Sequence, residues 1–279
     1  MAVGYHEHTK VSFGRGIMDA LIKRISNWTV QDLQAARQNA LVSLDDPARG
    51  RRAAEVLSAI EAELESRSIP GMIKTFKDEF PGGFYGELQA ENERNYKVKA
   101  SVLCNQLFDK NTFSNHIKNA DWRTLYEKCK MVLGTNLIEQ RFERPQLLDK
   151  LAEPGVADRF FVALYDCLWG DDQMLERFDR FCRILEELGM AKWTYASYFL
   201  FLTYPEKCMF VKPESLKRSI EISHHWLEYD SHPTGKKYGE ILEFSEWLKL
   251  KIAELRPRDM IDVHSFMWHM APTGKWANE

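Results

Sequence analysis

The residues best suited to chemistry lie near the C-terminus, in the stretch "RPRDMIDVHSFMWHM" that spans residues 256–270. It places a carboxylate, an imidazole and an indole, those of Asp262, His264 and Trp268, within two turns of one predicted helix. A carboxylate can stabilise positive charge on a sugar or activate a water molecule. The alternative is structural, because Asp259 fits an N-cap and Asp262 then occupies the reciprocal position of a capping box.

Two lysines between residues 184 and 220 give a second chemical signal. This run predicts a helix ending at Gly189, a turn carrying Lys192, a very apolar helix, and a link in which Lys212 precedes a proline-started helix. A lysine amine can attack a sugar carbon and form a Schiff base, or it can bind a phosphate. The alternative for Lys192 is an ordinary surface lysine at a helix entry. For Lys212 it is a position at the edge of the core with the charged end in water.

A third candidate region is "PGGFYGELQAENERNYKVKA", residues 81–100. Its glycines let the backbone approach a ligand closely, and Phe84 and Tyr85 could stack on a base. Arg94 and Lys97 could contact phosphates. The alternative interpretation is a glycine-rich connector followed by an ordinary charged helix.

The elements that must position these residues are predicted to be helices, because apolar residues recur at helical spacing through most of the chain. We expect an N-terminal helical region over residues 1–70, containing a hairpin over 29–67, and a helical body over 71–279 that could pack with it as one unit. The Gly- and Pro-rich stretch 68–87 marks the clearest boundary. Predicted helices of the body are a long one from about Asn92, then 121–133, 156–169, 172–188, 192–203, 213–228, 236–255 and 259–270. The best strand candidate is "CMFV", residues 208–211.

Bulk composition restricts the class of protein. The chain has 279 residues and a formal net charge of −3, which argues against coating nucleic acid by bulk charge but leaves room for a local basic groove. Five cysteines without a C-x-x-C pair make a disulfide framework or a zinc cluster improbable and favour a reducing, cytoplasmic setting. The N-terminus "MAVGYHEHTK" lacks the pattern of a signal peptide, and the apolar clusters are too short for a membrane span.

Motifs for other chemistries are missing from the sequence. There is no phosphate-binding G-x-x-x-x-G-K-[ST], no dinucleotide-binding G-x-G-x-x-G after a strand, and no G-x-S-x-G nucleophile motif. The adjacent His224 and His225 would diverge by about 100° on a helix and could not easily share an ion. We therefore predict neither a cofactor nor a metal site. Glu93 and Asp166 are weaker candidates for a functional acid.

The run from 184 to 220 resembles the second half of the helix-hairpin-helix domain of DNA glycosylases. Gly189, Lys192, Ala196 and the link "MFVKPESLKR" follow in the matching order. Two positions depart from the family pattern: the hairpin has one glycine, and Lys212 stands where the family places its catalytic Asp. Asp262 is the acid we predict to substitute for it.

A broader resemblance covers about residues 159–270. The elements "RFFVALYDCLWG", "KWTYASYFLFL", "MFVKP" and "RDMIDVHSFMW" look like segments of poorly characterised bacterial proteins found near restriction and anti-phage loci. The two resemblances together imply a mostly α-helical DNA glycosylase that flips and excises a modified base of phage DNA. The alternative function is a non-catalytic helical module that binds DNA or acts as an adaptor in such a system.

The implied glycosylase assigns roles to three groups of residues. The catalytic residues would be Asp262, Lys192 and Lys212. The base pocket would be formed by Phe84, Tyr85, Tyr204, His264 and Trp268. The DNA backbone would be contacted by Arg94, Lys97, Trp193, Lys217 and Arg218.

Overall fold

The computed structural model of the protein describes residues 24–25, 28 and 30–270. These residues form helices, turns and extended links, and none of them is in a strand, which confirms the predicted mostly α-helical fold. The chain divides into two compact units between Thr75 and Phe76. The N-terminal decapeptide considered above lies outside the described residues.

The first unit contains the predicted helical hairpin. Helix α1 spans Val30–Val42, helix α2 spans Gly50–Ser66, and the two pack against each other. The buried side chains of Ile25, Leu33 and Ile60 form the centre of their core. Burial of these apolar groups stabilises the pair, because neither short helix would be stable alone in water.

The stretch 68–87, predicted as a boundary, is largely helical. Helix α3 spans Ile69–Glu79 and is followed by a 3₁₀ turn over Gly83–Tyr85. Pro70 is tolerated because it lies in the first turn, where its missing N–H has no partner to lose. Gly82 then adopts a φ of 88°, which ends the regular structure at little cost.

A long helical segment with an irregular turn opens the functional part of the second unit. It consists of α4 (Glu87–Gln89), a π-helical turn (Ala90–Arg94) and α5 (Asn95–Leu107). A π turn carries one residue more than a regular α turn. The helix predicted to begin near Asn92 therefore begins five residues earlier and contains this irregularity.

The rest of the second unit is a sequence of helices. They are α6 (Lys110–Lys118), α7 (Trp122–Val132), α8 (Glu143–Leu151), α9 (Ala157–Trp169), α10 (Met174–Glu187), α11 (Trp193–Thr203), α12 (Pro213–Ser223), α13 (Gly235–Lys251) and α14 (Met260–Met270). The predicted helices agree with these except at two ends. The helix predicted to reach 228 stops at Ser223, where His224 turns left-handed with a φ of 49°. The one predicted to reach 255 stops at Lys251 and continues as a 3₁₀ turn over Ala253–Leu255.

The strand predicted at residues 208–211 is wrong. This segment is an extended link whose backbone groups are bound by side chains instead of a neighbouring strand. The Met209 N–H donates to the Tyr238 hydroxyl at 3.1 Å, and the Val211 N–H donates to Ser197 Oγ at 2.9 Å. The link is held because these buried donors have partners.

Helix α11 lies at the centre of the second unit, since every residue from Trp193 to Thr203 is buried. Buried phenylalanines pack around it, such as Phe160 of α9, Phe108 after the end of α5 and Phe210 of the extended link. A helix buried on all sides fixes the hairpin turn before it and the link after it. Within the described residues, none of the helices combines the length and the apolar character needed to cross a bilayer.

Candidate functional site

A network of four charged side chains surrounds the start of α14. Arg94 donates to both oxygens of Asp259, at 2.9 and 2.7 Å, and to Asp262 Oδ1 at 2.9 Å. Arg258 donates from Nε to Asp262 Oδ2 at 2.8 Å and from Nη2 to Oδ1 at 3.0 Å. Two positive and two negative charges therefore neutralise one another in a site of restricted solvent access.

Asp262 is the buried centre of this network, with no exposed surface. Besides the two guanidinium groups, it accepts the backbone N–H of Arg258 at 2.9 Å. Asp259 meanwhile accepts the N–H groups of Ile261 and Asp262, as an N-cap does. The carboxylate predicted to be catalytic thus has its oxygens occupied, and its surroundings match the structural alternative.

The next turn of α14 contacts a buried lysine. Lys97 Nζ donates to Glu93 at 2.6 Å and to Ser265 Oγ at 2.8 Å. Burial lowers the pKa of Lys97, and the charge of Glu93 opposes that shift. Because Lys97 is fully buried, it cannot reach a DNA backbone as the sequence suggested. It links α5 to α14 instead.

Another face of α14 carries a buried histidine. His264 is 5 % exposed, and its ring lies 5.7 Å from the ring of Phe201 and 5.5 Å from that of Phe210. Neither ring nitrogen has a hydrogen-bond partner among the described residues. Burial, together with the positive charges of Lys97 and Lys212, holds the pKa of His264 well below its usual value. The imidazole is therefore neutral at physiological pH.

Lys212 lies beside this histidine at the end of the extended link. Its Nζ is 5.6 Å from the centroid of Phe210 and 5.9 Å from that of Trp268. No ion pair or hydrogen bond to its Nζ occurs among the described residues. Burial lowers the pKa of Lys212, while Glu143 and Glu139 pull it upward. A half-buried amine on two aromatic faces has a larger neutral fraction than a surface lysine.

The two glutamates that oppose the lowering of the Lys212 pKa are Glu143, the first residue of α8, and Glu139, in the turn before it. Helix α8 was not predicted from the sequence. The carboxylate of Glu139 accepts the backbone N–H groups of Arg141, Phe142 and Glu143. Glu143 Oε1 accepts the Thr194 hydroxyl at 2.8 Å. The start of α8 is thereby tied to the start of α11, close to Lys212.

The hairpin turn lies against the same end of α8. Gly189 takes a φ of 69°, and Lys192 Nζ donates to Gln146 Oε1 at 2.6 Å. A cleft of about 700 Å³ opens between the turn and α8. Its lining residues are Arg141, Phe142, Pro145, Gln146, Asp149, Lys150, Glu153, Gly189, Met190, Lys192 and Tyr195. The structure thus places Lys192 at this cleft and Lys212 near Glu143, with the first turn of α8 between them.

Two of the aromatic residues predicted to form a base pocket are used elsewhere. Phe84 is fully buried against Phe76. The Tyr204 hydroxyl donates to the Leu168 carbonyl oxygen at 2.7 Å. Neither contacts Lys212, so of the predicted pocket only His264 and Trp268 meet at this lysine.

The exposed ring of Tyr85 is also occupied. The guanidinium groups of Arg256 and Arg258 lie 5.0 and 4.8 Å from its centroid. Its hydroxyl donates to the Arg256 carbonyl oxygen. Tyr85 therefore belongs to the surroundings of the Asp262 network.

Three residues predicted to contact the DNA backbone lie near α11 and α12. Trp193 is buried, and its indole N–H donates to the Asp230 carbonyl oxygen at 2.7 Å. Lys217 and Arg218 form ion pairs with Glu214 and Glu221 one turn away on α12. These pairs are typical of a solvated helix face.

Sequence reasoning missed two functional features. Arg258, the main partner of Asp262, stands four residues before it, a spacing that could have suggested an ion pair. Glu139 and Glu143 lie about 70 residues before Lys212, so no local signal relates them. The weaker acid candidates have partners as well: Glu93 pairs with Lys97, and Asp166 pairs with Arg180.

No metal-binding or thiol chemistry emerges from the described residues. Within them, no group of three or more His, Cys, Asp or Glu side chains is arranged to hold a metal ion. All five cysteines are free and buried. Burial raises the pKa of Cys104 and of Cys208 to about 12, which keeps these thiols protonated and unreactive.

Comparison with known proteins adds no assignment. No protein-family model, no curated protein and no solved structure matches this chain significantly. The proposed function therefore rests on the geometry around Lys212.

Proposed function

We propose that the protein is a DNA glycosylase that excises a modified base, with Lys212 as the group that attacks the sugar. The observation that carries the proposal is the state of Lys212. Its amine is half-buried, lowered in pKa and without an ion pair in the described part of the chain, and it faces Phe210 and Trp268. Beside it is a neutral His264 that has no partner among the same residues. Such a perturbed lysine among aromatic groups is typical of a functional site.

The chemistry follows from the neutral amine. Lys212 Nζ adds to C1′ of the deoxyribose while the N-glycosidic bond breaks, and the base leaves with the bonding electron pair. The proton released by the lysine nitrogen balances the proton taken up by the departing base. Opening of the sugar ring then gives a Schiff base between Nζ and C1′, which water hydrolyses to an abasic site and free lysine.

The groups around Lys212 suit a base removed from its stack. The ring of Trp268 offers a face on which a flipped base can stack. His264 offers a neutral donor and a neutral acceptor that no group of the described residues satisfies, so a base edge could supply the missing partners. The resemblance to anti-phage proteins makes modified phage bases the first substrates to test.

The test is borohydride trapping, which captures only a Schiff base. The full chain is incubated with phage DNA carrying modified bases, with plain DNA and with abasic DNA. We expect a covalent protein–DNA product with the wild type and none with Lys212→Ala. Lys236→Ala, which removes an exposed lysine of α13, should behave as the wild type. Full trapping by Lys212→Ala would show that another amine acts. The absence of trapping and of abasic sites on every DNA tested would exclude the enzyme.

A second candidate function is favoured by the state of Asp262. The predicted catalytic carboxylate is neutralised by two guanidinium groups. A non-catalytic helical module that binds DNA or acts as an adaptor would need no free carboxylate. DNA binding without any base release on modified substrates would support this alternative.

A further inference from the structure

The start of α8 exposes an aromatic ring to solvent. Phe142 is 76 % exposed, the highest value among the large apolar side chains of the described residues. A single exposed apolar side chain needs no ligand by itself, so the position of this ring in a cleft is the informative feature. The ring lines the cleft that also contains Lys192 and the hairpin turn.

The backbone that carries this ring is firmly held. Glu139 binds the N–H groups of Arg141, Phe142 and Glu143, and the Gln146 N–H donates to the Phe142 carbonyl oxygen at 3.0 Å. A ring on an ordered backbone loses little conformational freedom when a ligand stacks on it. The exposure of Phe142 is thus built into the turn and does not result from a loose loop.

Unpaired cations flank the ring. Arg141 and Lys192, which line the cleft with Phe142, form no ion pair in the described part of the chain. The cleft also contains two acids, of which Glu153 pairs with Lys150 and Asp149 is the other. Its formal charge is therefore positive by one, although the whole chain carries −3. An exposed aromatic ring in a cleft with two cations that lack an ion pair among the described residues matches a nucleic acid strand, which offers base faces and phosphates together.

We infer that Phe142 stacks on a base of the bound DNA strand, next to the nucleotide that Lys212 attacks, while Arg141 and Lys192 contact its phosphates. This inference rests on the proposed function and names the surface that receives the strand. Glu143, the neighbour of Phe142, accepts the Thr194 hydroxyl at 2.8 Å and acts electrostatically on Lys212, which relates the stacking surface to the region of the reacting amine.

The test measures binding without chemistry. A labelled duplex that contains a tetrahydrofuran abasic analogue is titrated with the full chain, and affinity is read by fluorescence anisotropy. Phe142→Ala should weaken binding about 30-fold, the middle of the range for loss of one stacked base. Phe142→Trp should retain the affinity. Phe142→Leu, which keeps an apolar side chain without a π face, should be as weak as Phe142→Ala.

Charge is tested separately by salt dependence. In Arg141→Gln and in Lys192→Gln, the slope of log K against log salt should fall by about one for each lost phosphate contact. The matched control is Leu250→Ala, since Leu250 is 74 % exposed and lies on α13. This variant should bind as the wild type in both measurements.

Each other outcome has a defined meaning. Wild-type affinity in Phe142→Ala or in Phe142→Leu overturns base stacking, and the latter result alone indicates that an apolar side chain of either kind serves at this position. If Lys212 still traps on DNA in that case, the proposed function stands while this inference fails. If the wild type neither binds nor traps any DNA, both fail.

Discussion

Two faces of α14 differ in how their polar groups are satisfied. On one face, Asp262 accepts hydrogen bonds from two guanidinium groups and a backbone N–H, and every charge has an opposite charge beside it. On the other face, His264 has two buried nitrogens without partners among the described residues, and the nearby Lys212 forms no ion pair with those residues. A saturated polar cluster holds a fold together, whereas an unsaturated one keeps its bonding capacity for a ligand.

Removal of the Asp262 carboxylate should lower the stability of the protein more than the other substitutions considered below. Asp262→Ala leaves the guanidinium groups of Arg94 and Arg258 without their shared carboxylate in a partly buried site. We expect the free energy of unfolding to fall by about 3–5 kcal/mol, the usual cost of removing one partner of a buried ion pair. Urea unfolding followed by circular dichroism measures it.

The control for this prediction lies on the same helix. Trp268→Phe keeps an aromatic ring next to Lys212 and should change stability by less than about 1.5 kcal/mol, as conservative apolar exchanges do. If Asp262→Ala were as stable as the wild type, the network would not stabilise the fold. Asp262 would then again be a candidate catalytic residue.

Because His264 is buried, the stability of the protein should depend on pH. Its folded pKa is held well below its usual value by burial and by the charges of Lys97 and Lys212. The unfolded chain therefore takes up a proton below about pH 6.5 that the folded chain does not. Stability is full above that pH and falls as pH decreases, by about 1.4 kcal/mol per pH unit for one such group.

Variants separate the contributions of two histidines. Burial also lowers the pKa of His225, so it contributes in the same pH window. His264→Phe should remove part of the slope between pH 6.5 and 5, and His225→Phe should remove another part. An unchanged slope in His264→Phe would mean that the ring gains a partner or is protonated in the folded protein.

Substitution of Lys212 should change the stability of the protein least. Lys212→Met keeps the aliphatic stem on Phe210 and Trp268 and removes a charge whose burial is unfavourable. Stability should change by less than about 1 kcal/mol and could increase. Thermal unfolding checks this, and a large loss would show that the ammonium group stabilises the fold and is not reserved for a substrate.

Much of the architecture could be predicted because helix signals are local. The spacing of apolar residues predicted the N-terminal hairpin and most helices of the second unit. Asp259 could be predicted as an N-cap, and Lys212 as a residue at a buried edge, from their immediate neighbours. Helix α8 was missed because it has only nine residues and a proline, Pro145, at its third position.

The content of the site was harder to predict because its contacts join distant parts of the chain. Arg94 and Asp262 are 168 residues apart. Their pairing decides that the carboxylate is occupied, and no local pattern encodes it. The sequence does not distinguish a paired charged residue from a free one. The type and spacing of Asp262 were therefore as compatible with catalysis as with a structural role.

The π-helical turn over Ala90–Arg94 has a consequence for how related chains would have to be aligned. One extra residue rotates everything before the turn by about 100° relative to everything after it. That rotation lets Arg94 reach Asp259 while the Phe84 carbonyl oxygen still accepts Arg258 at 2.6 Å. A relative with an unbroken α-helix here would require a one-residue gap within 90–94, and a chain that lacks this residue could not make both contacts.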